Sequence, residues 1–309
     1  MHSVEIIVVS NGDSIESDLL NLDLRELNNV RFIRSPDRLS MSENWSFGLK
    51  HATGVWYTVL GDDDLIASVV MGSFFQILTE YSDRNINGIK TKVSDFTWET
   101  REEDFFPGVF QIASSETTHE IVSIDRSKKI TELMPHRLPT GSAGSFLRTD
   151  WAKSLGPDLM YRSISPDWYT GYLYYYHNSQ FLRFNGQVVA CGKHPSSSIS
   201  QMKTKGEDFV KELNLRASVG NEELRQRYPA GFPTTWLARV DALLQATQRL
   251  QIDVELPWKL LVKLSYDTTP RYVWKIFLIQ SRVFPEFRYS HVGWLIRYTM
   301  KSLWTKAFR

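Results

Sequence analysis

The feature that most constrains this chain is residues 40–60, where a capped helix and a strand follow one another without a gap. Ser40 and Glu43 have the spacing of a capping box, in which each side chain satisfies a backbone N–H at the helix start. Trp45, Leu49 and Ala52 follow at i, i+4 and i+7, one apolar face, until Gly54 stops the pattern. Residues 55–60 (VWYTVL) are short, β-branched and aromatic, which is strand composition.

The same alternation continues on both sides. Residues 4–9 (VEIIVV) read as a buried strand closed by the turn formers Ser10-Asn11-Gly12-Asp13, and 31–34 as a second strand broken by Ser35-Pro36-Asp37. Residues 65–81 read as a helix and 87–94 as a further strand. Strands alternating with amphipathic helices imply an α/β domain with a mixed, mostly parallel sheet, whose ligands gather at the carboxyl ends of strands. The polar loops 10–14 and 61–64 both leave strands at that end.

Periodicity fades over 95–135, where acids mix with Phe105, Phe106 and Phe110, and this stretch is expected to run over the surface. Residues 137–145 form a small-residue loop in which Gly141 to Ser145 would admit a ligand close to the backbone. Ser165-Pro166-Asp167 opens a helix, and residues 181–190 around Asn185-Gly186 have the form of a hairpin. Beyond about residue 205 the patterns are helical. Two regions are therefore expected: an α/β domain over 1–204 and a helical, basic and aromatic region over 205–309.

With 309 residues, 42% hydrophobic and 23% charged, the chain can bury a substantial core. Net charge is only +1, but residues 257–309 hold ten Lys/Arg against two Asp/Glu. Within that tail Val292, Leu295, Ile296, Met300 and Leu303 form one apolar stripe, with Arg297 and Lys301 off it and Trp294, Tyr298 and Trp304 on its flanks. Such a helix suits a membrane interface, and equally suits packing on the domain with its basic residues in water. A single cysteine, Cys191, excludes an intramolecular disulfide. No secretory leader and no apolar run of roughly 20 residues is apparent, so a cytoplasmic protein, peripheral at the inner membrane face at most, is expected. Nucleophile triads, cysteine-rich zinc sites and dinucleotide glycine loops are missing, and nucleic acid is not an expected partner.

The acidic loop Gly61-Asp62-Asp63-Asp64 carries the chemistry. Hard divalent cations such as Mg²⁺ or Mn²⁺ take oxygen ligands and can neutralise a diphosphate. Carboxylates at i and i+2 on an extended turn can point the same way, so Asp62 and Asp64 are the expected metal pair, with Asp63 as an alternative ligand or donor contact. The competing account is a helix cap with acids complementing the helix dipole. A cap needs one carboxylate, and three in a row repel.

Residues 38–65 (RLSMSENWSFGLKHATGVWYTVLGDDDL) resemble the nucleotide-binding half of family 2 glycosyltransferases of the GT-A fold. In that family a helix with an Asn and an Ala-x-Gly step lead into a strand ending in a DxD-type loop; here Gly61 stands where many relatives begin the motif with Asp. Residues 4–14 (VEIIVVSNGDS) resemble the family's second strand and the acidic turn that contacts the nucleobase, with Asn11 where Asp is usual. The family's first strand and helix would then precede Met1, so the expectation is either an earlier true start or a truncated domain with an exposed sheet edge.

The resemblance implies a metal-dependent, inverting glycosyltransferase that moves a sugar from a nucleotide-sugar donor to a glycan or lipid-linked acceptor. Asn11, Arg38, Asn44, Asp62 and Asp63 would hold the donor, and Asp62, Asp64 and His194 would be metal ligands, His194 lying where several relatives place a late His. Lys193 would assist Arg38 in countering phosphate charge. Residues 163–172 (SISPDWYTGY) look like the loop-to-helix segment that carries the family's general base, which makes Asp167 the candidate; its plain alternative is a first-turn acid. For Asn44 the alternative is a polar residue on the wet face of its helix, for Asn11-Gly12 a plain turn, and for His194 a surface loop residue. The second function expected is a non-catalytic remnant that binds glycan or membrane.

Overall fold

The computed structural model describes residues 4–11, 28–37, 39–61, 64–66, 70–97, 116–126, 137–142, 144–163, 165–193 and 235–252. Arg38, Asp62, Asp63, His194 and the tail stripe of 292–303 lie outside them, as does most of the surface excursion expected over 95–135.

Strand β1 (Ile6–Ser10) pairs in parallel with β2 (Val30–Arg34), and these two form a sheet of their own. Helix α1 (Met41–His51) starts as the sequence predicts: Ser40 Oγ accepts from Glu43 N, and Glu43 Oε2 accepts from Ser40 N at 2.8 Å. Glu5 ties β1 to the end of this helix, accepting from Thr53 N at 2.9 Å and Thr53 Oγ1 at 3.0 Å and pairing with Arg31.

The remaining strands make one mixed sheet: β3 (Trp56–Tyr57), β4 (Leu65–Ile66), β5 (Gly88–Thr97), β6 (His119–Ser123), β7 (Ser145–Arg148) and β8 (Gln180–Lys193). Its order is β3-β7-β5-β8-β4, with β6 also on β8. The long β5–β8 pair is parallel, whereas β3–β7, β5–β7, β4–β8 and β6–β8 are antiparallel.

Both faces of this sheet are covered, so successive residues of one strand enter different cores. Phe146 joins Val70, Phe74, Ile77, Leu182 and Phe184 under α2 (Met71–Glu80). Leu147 joins the opposite core with Leu49, Tyr57 and Ala152, made by α1, α3 (Thr149–Ser154), α4 (Pro157–Met160), α5 (Pro166–His177) and α6 (Thr235–Leu250). Alternation of this kind produces the near-continuous apolar strands of a doubly covered sheet.

Helix α5 is buried from Pro166 to Tyr175 except at the half-buried Asp167, and its many rings stay compatible with burial because their polar ends find partners. Tyr174 donates to Gln180 O at 2.8 Å, Thr170 to Met160 O at 2.9 Å, and the Tyr169 hydroxyl accepts from Arg249 of α6 at 3.2 Å. Arg249 also donates to the carbonyls of Leu155 and Leu159, which fixes α6 across the ends of α3 and α4.

Three local expectations are corrected. Residues 65–81 are not one helix: Leu65–Ile66 pairs with Val189–Ala190, and α2 begins only at Met71. Residues 181–190 are no hairpin, because β8 runs straight through Asn185-Gly186. The register against β5 slips there, with Thr91 opposite Phe184 and Lys92 opposite Gln187, so the dipeptide forms a bulge. The strand expected over 55–60 is only two residues long, with Val59 adding an isolated parallel bridge to Ser142.

Candidate active site

Asp64 sits at the exit of the loop that follows β3. Its Oδ2 accepts from Gly61 N at 2.9 Å and its Oδ1 from Gly192 N at 3.1 Å, and its own N–H donates to Gly61 O at 3.2 Å. The acidic loop is thus closed on itself and pinned to β8. A strand, not a helix, follows Asp64, so this carboxylate caps no helix.

Two backbone donors fix both oxygens of Asp64 while leaving each a further lone pair, the way an outer shell orients a ligating carboxylate. These oxygens fit a hard divalent cation. The described residues contain no cluster of three metal-ligand side chains, Asp62, Asp63 and His194 being outside them.

The amide of Asn11 pairs with the backbone of Leu39 on both its edges, Nδ2 donating to Leu39 O at 2.7 Å and Oδ1 accepting from Leu39 N at 2.6 Å. It stitches the end of β1 to the entry of α1. One N–H and one lone pair of the amide remain for another partner. Asn44 is not on the wet face of its helix: its Oδ1 is buried without a hydrogen-bond partner among the described residues. An orphan acceptor of this kind calls for a group from outside the described residues.

Asp167 lies in the first turn of α5, behind Ser165 and Pro166. Ser165 makes no side-chain cap; its N–H instead donates to Ser163 Oγ at 3.2 Å. Ser163 holds φ at +75° with its carbonyl accepting from Ser42 Oγ at 2.8 Å, which straps this loop to α1. A non-glycine residue held in left-handed backbone is strained, and such strain concentrates at functional segments.

A buried polar nest joins β3 to the small-residue loop. Tyr161 donates to Tyr57 Oη at 3.1 Å, and the carbonyl of Gly141, at φ +73°, accepts from Val59 N at 2.8 Å. Desolvation pushes both tyrosines well above the usual phenol range; for Tyr161 the Tyr57 hydroxyl and the Asp167 charge add to it. Gly141 serves packing: a Cβ there would come within 2.6 Å of the Tyr161 hydroxyl, so the small-residue loop is filled by the protein itself. Lys90 of β5, half-buried, reaches the end of the same small-residue loop and donates to Ser145 Oγ at 3.0 Å.

Lys90, Ser163 and the Tyr57–Tyr161 pair are features of this region that the sequence does not announce. A lysine inside an expected strand is ordinarily a solvated side chain, as neighbouring Lys92 is in its pair with exposed Glu116. Ser163 reads as an ordinary loop serine.

Glycosyl transferase family 2 has a family model that matches residues 2–146. No curated protein matches the chain. Among solved structures, TarS 1–349 of S. aureus in complex with UDP-GlcNAc is 14% identical over 96% of this chain and 80% of its own, with a TM-score of 0.45. TarS 1–349 of the same organism is 14% identical over 99% and 82%, with a TM-score of 0.44. The strand and helix order of the described residues is that of an α/β fold of the GT-A type, and within it residues 2–146 match glycosyl transferase family 2.

Proposed function

We propose that this glycosyltransferase is inverting and metal-dependent, with the acidic loop 61–64 holding cation and donor diphosphate and Asp167 serving as general base toward a glycan or lipid-linked acceptor. The observation that carries the reading is the anchorage of Asp64. A carboxylate held by two backbone N–H groups, on a loop pinned to β8, is preorganised for a ligand rather than taken up by a helix end.

In this reading Asp62, Asp64 and His194 ligate the cation, which on binding supplies charge neutralisation at the leaving diphosphate. Asn44 offers its buried Oδ1, and Asn11 its remaining N–H and lone pair, to the nucleotide, a role that Arg38 and Asp63 share. Asp167 takes the acceptor proton as the new glycosidic bond forms on the face opposite the departing diphosphate. Residues 1–204 make the catalytic domain and 205–309 a separate C-terminal region, whose described helix α6 packs against α5.

Among the described residues no helix is long and apolar enough to cross a membrane. The basic aromatic segment 257–309 would give a peripheral contact on the cytoplasmic face, and liposome sedimentation with and without it tests this: equal binding on truncation rejects the contact.

Calorimetry with UDP and GDP, each with and without Mn²⁺, tests the core of the proposal. Metal-dependent heat with one nucleotide, followed by release of that nucleotide from UDP-GlcNAc or another sugar donor, is expected. Nucleotide binding unaffected by EDTA would sink the metal dependence, and no binding at all would favour the non-catalytic remnant.

A further inference from the structure

Helix α1 faces two ways within its first turns. Ser42 and Asn44 are two residues apart, which sets them about 200° around the helix axis at 3.6 residues per turn. Ser42 Oγ donates to the Ser163 carbonyl at 2.8 Å in a buried bond, whereas Asn44 carries the buried Oδ1 that the reading above gives to the nucleotide. One stretch of helix thus joins the donor side to the loop ahead of Asp167.

That loop is anchored at both ends. Tyr161 packs edge-on against Trp45 of α1, with ring centroids 5.3 Å apart, and donates to Tyr57 Oη at 3.1 Å. From α5, Thr170 Oγ1 donates to Met160 O at 2.9 Å. Between these anchors Ser163, at φ +75°, is the one described residue in left-handed backbone. Its Oγ accepts from Ser165 N at 3.2 Å, which closes a turn onto the residue before Pro166.

Left-handed backbone crowds the Cβ of an L-residue against the carbonyl that follows, and serine tolerates it less well than asparagine. Such a conformation persists where its surroundings over-determine it. For Ser163 those surroundings are Ser42 on the carbonyl and Ser165 on the hydroxyl. Ser42 and Ser163 are both buried, so a carbonyl released from the strap would stand without a donor, and the backbone would turn to relieve it. A rotation at Ser163 is passed on to Asp167 rather than absorbed, because Pro166 has a fixed φ and restricts Ser165 before it.

We propose that Ser42 is a positioning residue for the base: by holding Ser163 in left-handed backbone it fixes, from the same stretch of α1 that carries Asn44, where the Asp167 carboxylate stands relative to the donor. The inference rests on the reading of Asp167 as base. Ser42 takes no proton from the acceptor and acts through the loop alone.

The full chain is compared as wild type, Ser42→Ala, and Ser42→Ala combined with Ser163→Gly or with Ser163→Asn, both of which accept left-handed backbone. The readouts are UDP release from UDP-GlcNAc with Mn²⁺, UDP affinity by calorimetry, and the ¹³C signals of Ser163 in serine-labelled protein, identified by their loss in Ser163→Gly. Ser42→Ala is expected to lower kcat about tenfold with UDP affinity within about twofold, and to move the Ser163 Cα and Cβ signals off their left-handed positions. Either substitution at 163 should bring kcat back to within about threefold of wild type, a rescue that lost packing at Ser42 would not allow. Ser42→Cys, similar in size and a weaker donor, should fall between wild type and Ser42→Ala, and takes its place should Ser42→Ala not fold.

Ser163 signals unmoved by the loss of Ser42 overturn the inference. A fall in kcat that both substitutions at 163 leave in place also overturns it, and makes Ser42 a structural residue of α1. Added to Asp167→Asn, Ser42→Ala should change the residual rate by less than about twofold, since both act through one carboxylate, and a full further loss there overturns the inference as well. Full turnover by Asp167→Asn instead removes the base reading; the two failures are told apart because the Ser163 signals are read without turnover.

Discussion

Asp64 and Gly192 are 128 residues apart in sequence and joined by a hydrogen bond of 3.1 Å from the Gly192 N–H to Asp64 Oδ1. That bond, with the one from Gly61 N at 2.9 Å, makes the same carboxylate both a structural clasp and a candidate ligand. Asp64→Ala should therefore lose on two counts. Two N–H groups lose a charged acceptor, costing about 1–3 kcal/mol of stability, and metal-dependent nucleotide binding falls. Asp62→Asn should weaken metal-dependent binding with stability changed by less than about 0.5 kcal/mol. Denaturant melts and calorimetry on both variants separate the roles; wild-type metal-dependent binding by Asp64→Ala would confine Asp64 to the clasp.

Asp167→Asn keeps the shape of the first turn of α5 and removes the proton acceptor. Turnover is expected to fall at least about 100-fold, the lower range for a positioned general base, while nucleotide binding stays within about twofold of wild type. The neighbouring strap gives a contrast: Ser42→Ala deletes the bond to the strained Ser163 carbonyl. It should reduce kcat by a smaller factor, through displacement of the loop rather than loss of the base. Asp167→Asn with full turnover would move the base elsewhere.

What was legible in the sequence was whatever local chemistry decides. The capping box at Ser40 and Glu43, the start of α5 at Pro166 and the strands β1 and β2 each follow from residues next to one another. The misread elements are those settled by distant partners. Asn185-Gly186 carries a strong hairpin signal, yet β8 is held along its length by parallel β5 and so absorbs the dipeptide as a bulge. Leu65 and Ile66 look like a helix start until antiparallel Val189 and Ala190 recruit them. The site divides in the same way: the acidic loop and Asp167 stand out by residue type, whereas Lys90 becomes notable only once α5 covers β5.

The bulge at Asn185-Gly186 makes a testable demand on one residue. A Cβ on Gly186 would meet Phe184 Cε1 at 2.3 Å and the Glu116 carbonyl at 2.9 Å, and Phe184 is fully buried and cannot withdraw. Gly186→Ala should cost about 1–3 kcal/mol, as overpacking does. Gly72 of α2 is exposed, and a Cβ added there would meet nothing within 4 Å, so Gly72→Ala should stabilise by roughly 0.5 kcal/mol. Denaturant midpoints for the two variants should move in opposite directions, and a neutral Gly186→Ala would mean that the Phe184 ring can turn aside within its core.

Lys90 ties stability to pH with a definite sign. Burial lowers its folded pKa from 10.5 to about 8, so between those two values the unfolded chain binds more protons than the folded one. Stability contributed through this group therefore rises as pH increases from about 8 toward 10.5, and the full penalty for the buried ammonium is present below 8. The span corresponds to about 3 kcal/mol as an upper bound. Lys90→Met should consequently be more stable than wild type at pH 7, by roughly 1–3 kcal/mol, and the gap should close at about pH 10. Urea melts at the two ends of that range check this. A Lys90→Met variant less stable than wild type near neutral pH would make this lysine a structural member of the nest instead of a charge retained against the stability of the fold.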